Sequence, residues 1–404
     1  MREVLFFSTL SQEVSVHSTA TAPYAISQVR SRSSSRMTSL TSKDARYTLI
    51  RGCSLMRNRR SGTGYFLGTV RRVVAVTSVH QRTALQELAL GMDSTSHLSP
   101  EVADEIALFV QELESRGFLN RNQNVSIAPQ RFFDHISEHD IAARHLADRA
   151  EPELAQSEWV DGASDRGSST VIARSLYPIV LSGRSRVITL LYSILLASGV
   201  SRVRFADRYH RPAIESTDVG FGAIEHSTLG SNYYDVTESA RRDLSLFPID
   251  SSARHDFDTS RPSLIVHYGD CEPEDLVLWS NQRMPHFVIH QPIGDEVVAG
   301  PLVIPGETPC VRCLSLYEID NFGYTRLERI SINSVNELPT ATAHYVAAIT
   351  AAQILHFIDR MSEPEDFSSS RNTGIGEVAY INFQRLTEPQ VVAIARHPLC
   401  GCDR

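Results

Sequence analysis

The sequence predicts an α/β protein: a mostly parallel sheet covered by helices, a small separate domain before it, and a metal clasp near the C-terminus. Three observations predict this. From Ser169 onward, strand-forming and helix-forming stretches alternate, the pattern of a parallel sheet with helical crossovers. Residues 46–122 hold a strand hairpin followed by two helical stretches. Near the end, four of the six cysteines fall in two close pairs.

A chain of 404 residues, 42% hydrophobic and 21% charged, is globular in class and long enough for two or three domains. The net charge of −8 argues against a general nucleic-acid binder and against docking on an anionic membrane. The apolar stretch 341–358 is interrupted by His344, Gln353 and His356, so no membrane span is predicted. Glu3 stands where a signal peptide needs a basic flank. So few cysteines do not suggest an oxidised secreted scaffold, and a cytosolic location is expected. Lys43 is the only lysine, which removes any mechanism that needs a lysine further along the chain.

Residues 1–45 are rich in Ser, Thr and Arg and lack a sustained hydrophobic period. They predict disorder, or a mis-assigned start with Met37 as the true first residue. In 46–122, Tyr47 to Leu55 and Tyr65 to Val76 carry strand formers around the turn-rich segment Asn58 to Gly64. Leu85 and Leu88 share one helical face. Ser99 and Pro100 open a second helix as N-cap and first-turn residue. Ile106, Val110, Leu113 and Phe118 keep helical spacing, and Gly117 closes the helix. The order of these elements is a winged-helix pattern. Residues 123–168 are polar and acidic and predict a linker with one short helix. Then come a strand ending at Leu181, a helix over Val187–Ser198, and a strand over Arg202–Ala206 that ends at Asp207. Further strands are expected at Ser263–His267 and His286–His290, and a long helix over Thr340–Asp359.

The pairs Cys310/Cys313 and Cys400/Cys402 predict a structural zinc. Zinc wants four soft ligands in a tetrahedron, and a short spacing lets one turn supply two of them. The alternative is two free or redox-active pairs. His397 is a candidate outer partner of the metal. Cys271 lies in an acidic turn, which raises a thiol's pKa and argues against a nucleophile. Cys53 and Trp279 are expected to pack.

A dinucleotide-type site needs glycines at the first strand–helix turn, so that the backbone can approach phosphate. Here Gly183 keeps the first position, while Ser185 and Ile188 replace the other two glycines. Asp207, 24 residues after Gly183, stands near where an acidic ribose ligand belongs, though a turn or cap role is the stronger expectation. The loop reads either as a decayed phosphate cradle or as that of a sheet domain that never had one, and the sequence argues against ATP chemistry.

Three stretches carry a resemblance: Gly183-Arg184-Ser185-Arg186-Val187 with Ala197-Ser198-Gly199-Val200; Gly300-Pro301-Leu302-Val303 through Pro309-Cys310-Val311-Arg312-Cys313-Leu314; and His397-Pro398-Leu399-Cys400-Gly401-Cys402. From Ile172 onward the chain resembles the ThiF/MoeB/HesA superfamily of adenylating proteins. Within it, the chain looks most like the ocin-ThiF-like branch, the leader-peptide-binding partners of cyclodehydratases in azole-containing (TOMM) peptide biosynthesis. That branch also carries a PqqD-like winged helix.

The resemblance implies a non-catalytic factor that captures the leader of a precursor peptide and presents it to a separate YcaO-type protein. The implied capture edge lies in Tyr65–Val76, with a groove wall at Ile106, Val110 and Leu113. These three fit an ordinary core at least as well. The chain departs from the adenylating enzymes in its lost glycines, its missing lysine and the absent Asn-Arg-Gln element after Asp207. An adenylating enzyme remains the second reading. A winged-helix DNA regulator, kept open by Arg57-Asn58-Arg59-Arg60, is the third. No catalytic residue is assigned, and a homodimer is left open.

Overall fold

A computed structural model describes residues 47–59, 64–69, 72–90, 99–121, 139–159, 167–206, 212–247, 264–330, 337–361 and 376–402. The expectations for residues 1–45, Arg60 and Asp207 lie outside them.

The N-terminal unit pairs β1 (Tyr47–Leu49) antiparallel with β5 (Leu119–Arg121). A separate antiparallel sheet runs β2 (Leu55–Arg57), β3 (Tyr65–Gly68), β4 (Val73–Val76). Its helices are α1 (Val79–Leu90) and α2 (Pro100–Ser115). Ser78 and Gln81 form a reciprocal cap at the head of α1: the Gln81 N–H donates to Ser78 Oγ at 3.1 Å, and the Ser78 N–H donates to Gln81 Oε1 at 3.3 Å. Ser99 stands at the N-cap of α2, but its hydroxyl makes no capping bond. Its carbonyl instead accepts from Ala103 at 2.8 Å. Gly117, at φ +69°, ends that helix. Phe118 N–H bonds back to Leu113 O and Gly117 N–H to Glu114 O, the paired bonds of a Schellman stop, and Phe118 drops into the core beside Leu67, Val74, Leu88 and Leu113.

The stretch expected to be a linker carries a longer helix, α3 (His139–Ser157). Its polar composition hides three buried positions, Leu146, Ala150 and Leu154, which pack with Val171, Leu246 and Phe247. Just past its end, the Glu158 carboxylate accepts the Arg51 N–H at 2.7 Å and Trp159 Nε1 donates to Arg51 O at 3.1 Å. These bonds tie the N-terminal unit to the rest of the chain.

A third sheet holds seven strands in the order β12-β11-β10-β9-β8-β6-β7. Its members are β6 (Ile179–Ser182), β7 (Val203–Phe205), β8 (Leu264–Tyr268), β9 (His286–Ile289), β10 (Glu296–Val303), β11 (Glu377–Asn382) and β12 (Gln390–Ala393). The strands β7, β6, β8 and β9 are parallel. β10 and β12 run the other way, and β11 runs with the parallel set. The run of buried residues in β6, β8 and β9 suits strands covered on both faces.

One face is covered by α5 (Arg186–Ala197) and α9 (Thr340–Met361), whose Val187, Leu191, Leu195, Val346, Ala347 and Ile354 form the main core with the sheet. The other face carries α7 (Pro273–Asn281) and α8 (Val311–Phe322). The remaining helices are α4 (Ser168–Arg174) and α6 (Tyr233–Leu244). α9 is long and apolar enough by composition to cross a bilayer, yet half of that apolar window is buried in the core. The chain leaves β6 for β7 on one side and returns to β8 on the other. That reversal opens a crevice beyond the carboxyl ends of β6 and β8, where sheets of this kind bind ligands.

Candidate functional site

Two sites stand out. The first is formed by the paired cysteines. Cys310 is the N-cap of α8, Cys313 lies in its first turn, and Cys400 and Cys402 reach them from the C-terminal segment. Cys310 Sγ lies 3.4 Å from Cys400 Sγ and 3.9 Å from Cys313 Sγ, and Cys313 Sγ lies 3.5 Å from Cys402 Sγ. A tetrahedron with zinc–sulfur bonds of about 2.3 Å has edges of about 3.8 Å, so the four sulfurs fit one zinc-sized ion.

The electrostatics agree with that fit. Burial and the neighbouring thiols push Cys400 up, and Cys402 up to about 11. Burial also opposes ionisation of Cys313, but N–H donors from His397 and Cys310 and contacts from Cys402 and Cys400 bring it below the ordinary thiol value. These are the shifts of thiols crowded with no cation between them, and a metal ion would be needed to hold all four as thiolates. His397 serves the cluster from outside: its N–H points at Cys313 Sγ at 3.4 Å, and its Nε2 lies 2.9 Å from Asp320. Cys271 and Cys53 lie elsewhere, each raised to about 12, by burial first and nearby carboxylates second. Trp279 is buried against His286.

The second site is the crevice at the head of α5. Gly183 has φ +87°, and a Cβ there would lie 2.4 Å from Tyr268 O, so glycine is required by the approach of β8. Ser185 is the N-cap of α5 and accepts the Ile188 N–H at 3.1 Å. Ile188 is fully buried in the main core. The serine hydroxyl thus satisfies a helix donor that in a phosphate cradle would face the ligand.

Glu337 occupies the next donor: its Oε2 accepts the Arg186 N–H at 3.1 Å. Burial raises the Glu337 carboxyl's pKa, against the opposing pull of the Arg186 N–H and the Arg186 charge. Arg186 reaches on to Leu338 O at 3.1 Å and Thr217 O at 2.8 Å, and lies over the Phe221 ring. Arg184 pairs with Asp218, donates to Ala213 O at 3.0 Å, and lies over Tyr233.

At the carboxyl end of β8, both oxygens of Asp270 accept from Arg329, at 2.9 and 2.8 Å, and Arg329 also meets Gln291 Oε1 at 2.9 Å. Arg184, Arg186, Arg329, Asp218 and Asp270 therefore each have a partner within the chain. Nothing in the spacing marked Glu337, Asp218, Asp270 or Arg329. Only the position of Asp270 just past a strand end offered a signal.

Ile106 and Leu113 are buried in the N-terminal unit, while Val110 is half-buried beside its core. In the three-stranded sheet, the outer edges of β2 and β4 lack a strand partner among the described residues. On β2, Leu55 and Met56 are exposed.

No protein-family model matches the chain, and no curated protein matches it. Solved structures do. E. coli MccB with AMPCPP and MccA aligns over 89% of this chain and 100% of its own, at 14% identity and a TM-score of 0.59. MccB, the microcin C7 biosynthetic enzyme, in complex with N-formylated MccA aligns over the same shares at 15% identity and a TM-score of 0.59. PaaA aligns over 85% of this chain and 99% of its own, at 14% identity and a TM-score of 0.57. The likeness gives the chain the mixed α/β fold that these structures share.

Proposed function

We propose that this chain is a precursor-peptide-binding partner in the biosynthesis of a ribosomal peptide, and that it does not adenylate. It holds a leader segment on its N-terminal, winged-helix-like unit and presents the precursor to a separate YcaO-type cyclodehydratase in the cytosol. The observation that carries this reading is the filled crevice. Glu337 takes the helix donor, Arg329 covers Asp270, and Arg184 and Arg186 are engaged with the chain's own oxygens. Adenylation relies on cations and backbone donors free to meet a polyphosphate. The four-cysteine centre has a structural role, holding α8 to the C-terminal segment through one zinc.

Leader capture is assigned to the free edge of β4. The Thr69 N–H donates to Arg72 O, so alternation along the ladder makes Phe66 and Ala75 a non-hydrogen-bonded pair. Ala75 therefore turns its backbone groups to the open edge, where an added strand would pair. Of the three groove residues, Val110 is the accessible one, and Ile106 and Leu113 support it from beneath. The likeness to MccB, solved with its peptide MccA, supports a peptide partner.

Fluorescence titration of the full chain with candidate leader peptides tests the reading. Ala75→Pro removes one edge donor without touching the β3–β4 ladder and should weaken binding about tenfold, a loss of about 1.4 kcal/mol. The second reading, an adenylating enzyme, is favoured by MccB having been solved with ATP. ATP–pyrophosphate exchange by the purified chain would establish that reading and end the first.

A further inference from the structure

The three-stranded sheet of the N-terminal unit has a second open edge, on β2, and its charge is at odds with the rest of the chain. Residues 45–78 contain seven arginines and no Asp or Glu, in a chain whose net charge is −8. Arg57 ends β2, and Arg59 stands in the turn beyond it. Both are exposed, and neither makes an ion pair among the described residues.

The ladder shows which backbone groups are open. The Gly68 N–H donates to Ser54 O at 3.1 Å, and the Asn58 N–H donates to Gly64 O at 3.1 Å. These pairs bracket β2. Alternation then makes Met56 and Phe66 the hydrogen-bonded pair between them and leaves Leu55/Leu67 and Arg57/Tyr65 non-hydrogen-bonded. Leu55 and Arg57 therefore turn their N–H and C=O groups to the outer edge. The side chains point the same way. Leu67, across the ladder from Leu55 and on the same face, is 2% exposed, whereas Leu55 is 43% exposed. The apolar face thus runs out to the edge and ends there uncovered.

Charge selects among the occupants of such an edge. A second copy of β2 would bring like charges together across the strand pair, which is unfavourable. A DNA duplex would need a basic helix beside the basic hairpin, but α2 carries Glu101, Asp104, Glu105, Glu112 and Glu114 and no basic residue. An extended acidic peptide suits both features. Its backbone pairs with Leu55 and Arg57, and its carboxylates accept charge-assisted hydrogen bonds from the guanidinium groups.

We infer that the outer edge of β2 adds a strand from an acidic, extended peptide segment, with Arg57 and Arg59 receiving its carboxylates and Leu55 receiving an apolar side chain two residues along. Leader capture uses the other edge of the same sheet, so this inference goes beyond that reading and stands without it.

Fluorescence anisotropy of the full chain with a fluorescein-labelled Gly-Glu-Thr-Glu-Val-Leu-Gly peptide tests it, beside counterparts in which Gln or Lys replaces both Glu. The acidic peptide should bind at least about tenfold more tightly than the Gln peptide, and added salt should weaken it. The Lys peptide should not bind. Arg57→Glu, at an exposed position, should weaken the acidic peptide at least about tenfold and make the Lys peptide the better ligand. Leu55→Pro removes an outward N–H and leaves the β2–β3 ladder its bonds; it should weaken the acidic peptide about tenfold. Equal affinity for the acidic and Gln peptides, an affinity indifferent to either substitution, no binding of the acidic peptide, or tighter binding of a mixed-sequence DNA duplex would overturn the inference.

Discussion

Replacing Cys313 by Ser should release the metal and unclasp the C-terminal segment. The cross-links it helps to hold close long loops, spanning 90 residues between Cys310 and Cys400 and 89 between Cys313 and Cys402. Treated as a single covalent-like closure of that length, the clasp restricts the unfolded chain by about 15.5 cal/mol/K, or about 4.6 kcal/mol at room temperature. At about 2–4 °C per kcal/mol for a domain of this size, the melting temperature should fall by about 9–18 °C. Elemental analysis should find about one zinc per unmodified chain and far less in Cys313→Ser. Calorimetry with and without a strong chelator should reproduce the same drop in the unmodified protein. A chelated protein that melts unchanged, or a Cys313→Ser variant that keeps its full metal, would refute the assignment of these four thiols to one structural ion.

Three further outcomes follow from particular contacts. Gly183→Ala combines a φ of +87° with a Cβ 2.4 Å from Tyr268 O; thermal melts should show a loss of about 2–5 kcal/mol, and a loss under about 0.5 kcal/mol would contradict the close approach of β8. Arg174→Leu strands Asp359 and Glu153; it should cost about 3–5 kcal/mol by urea unfolding, and a neutral effect would mean the carboxylates find water.

The third concerns pH. Burial places the Glu337 carboxyl's pKa above its usual value. An acid raised by folding contributes stability that is complete below its unfolded pKa and is lost as pH climbs through its folded value. Glu337→Gln should therefore match the unmodified chain near about pH 4 and equal or exceed its melting temperature at neutral pH. Greater destabilisation at neutral pH than in acid would show the carboxylate to be a net stabiliser.

The elements of the larger domain were legible because their signals are local. The strand at Ile179–Ser182, the helix from Arg186 and the helix from Thr340 each announce themselves by runs of apolar residues. α3 was harder to read. Its buried face of Leu146, Ala150 and Leu154 is narrow, and acidic and basic residues cover the rest. The hydroxyl of Ser99 illustrates the opposite limit, since cap position can be read from sequence while the side-chain bond depends on the local rotamer.

The sequence by itself singled out four cysteines in two short pairs, the thiols proposed to hold the clasp's metal, and it showed only one glycine of the three-glycine loop pattern and no lysine beyond Lys43. Only the tertiary structure decided what fills the head of α5. Glu337 lies 151 residues from the Arg186 amide it meets, and Arg329 lies 59 from Asp270. Pairs so distant in sequence leave no periodic trace. They form because the crossing strands bring β6 and β8 side by side, and because a charge there must find a partner once water is excluded.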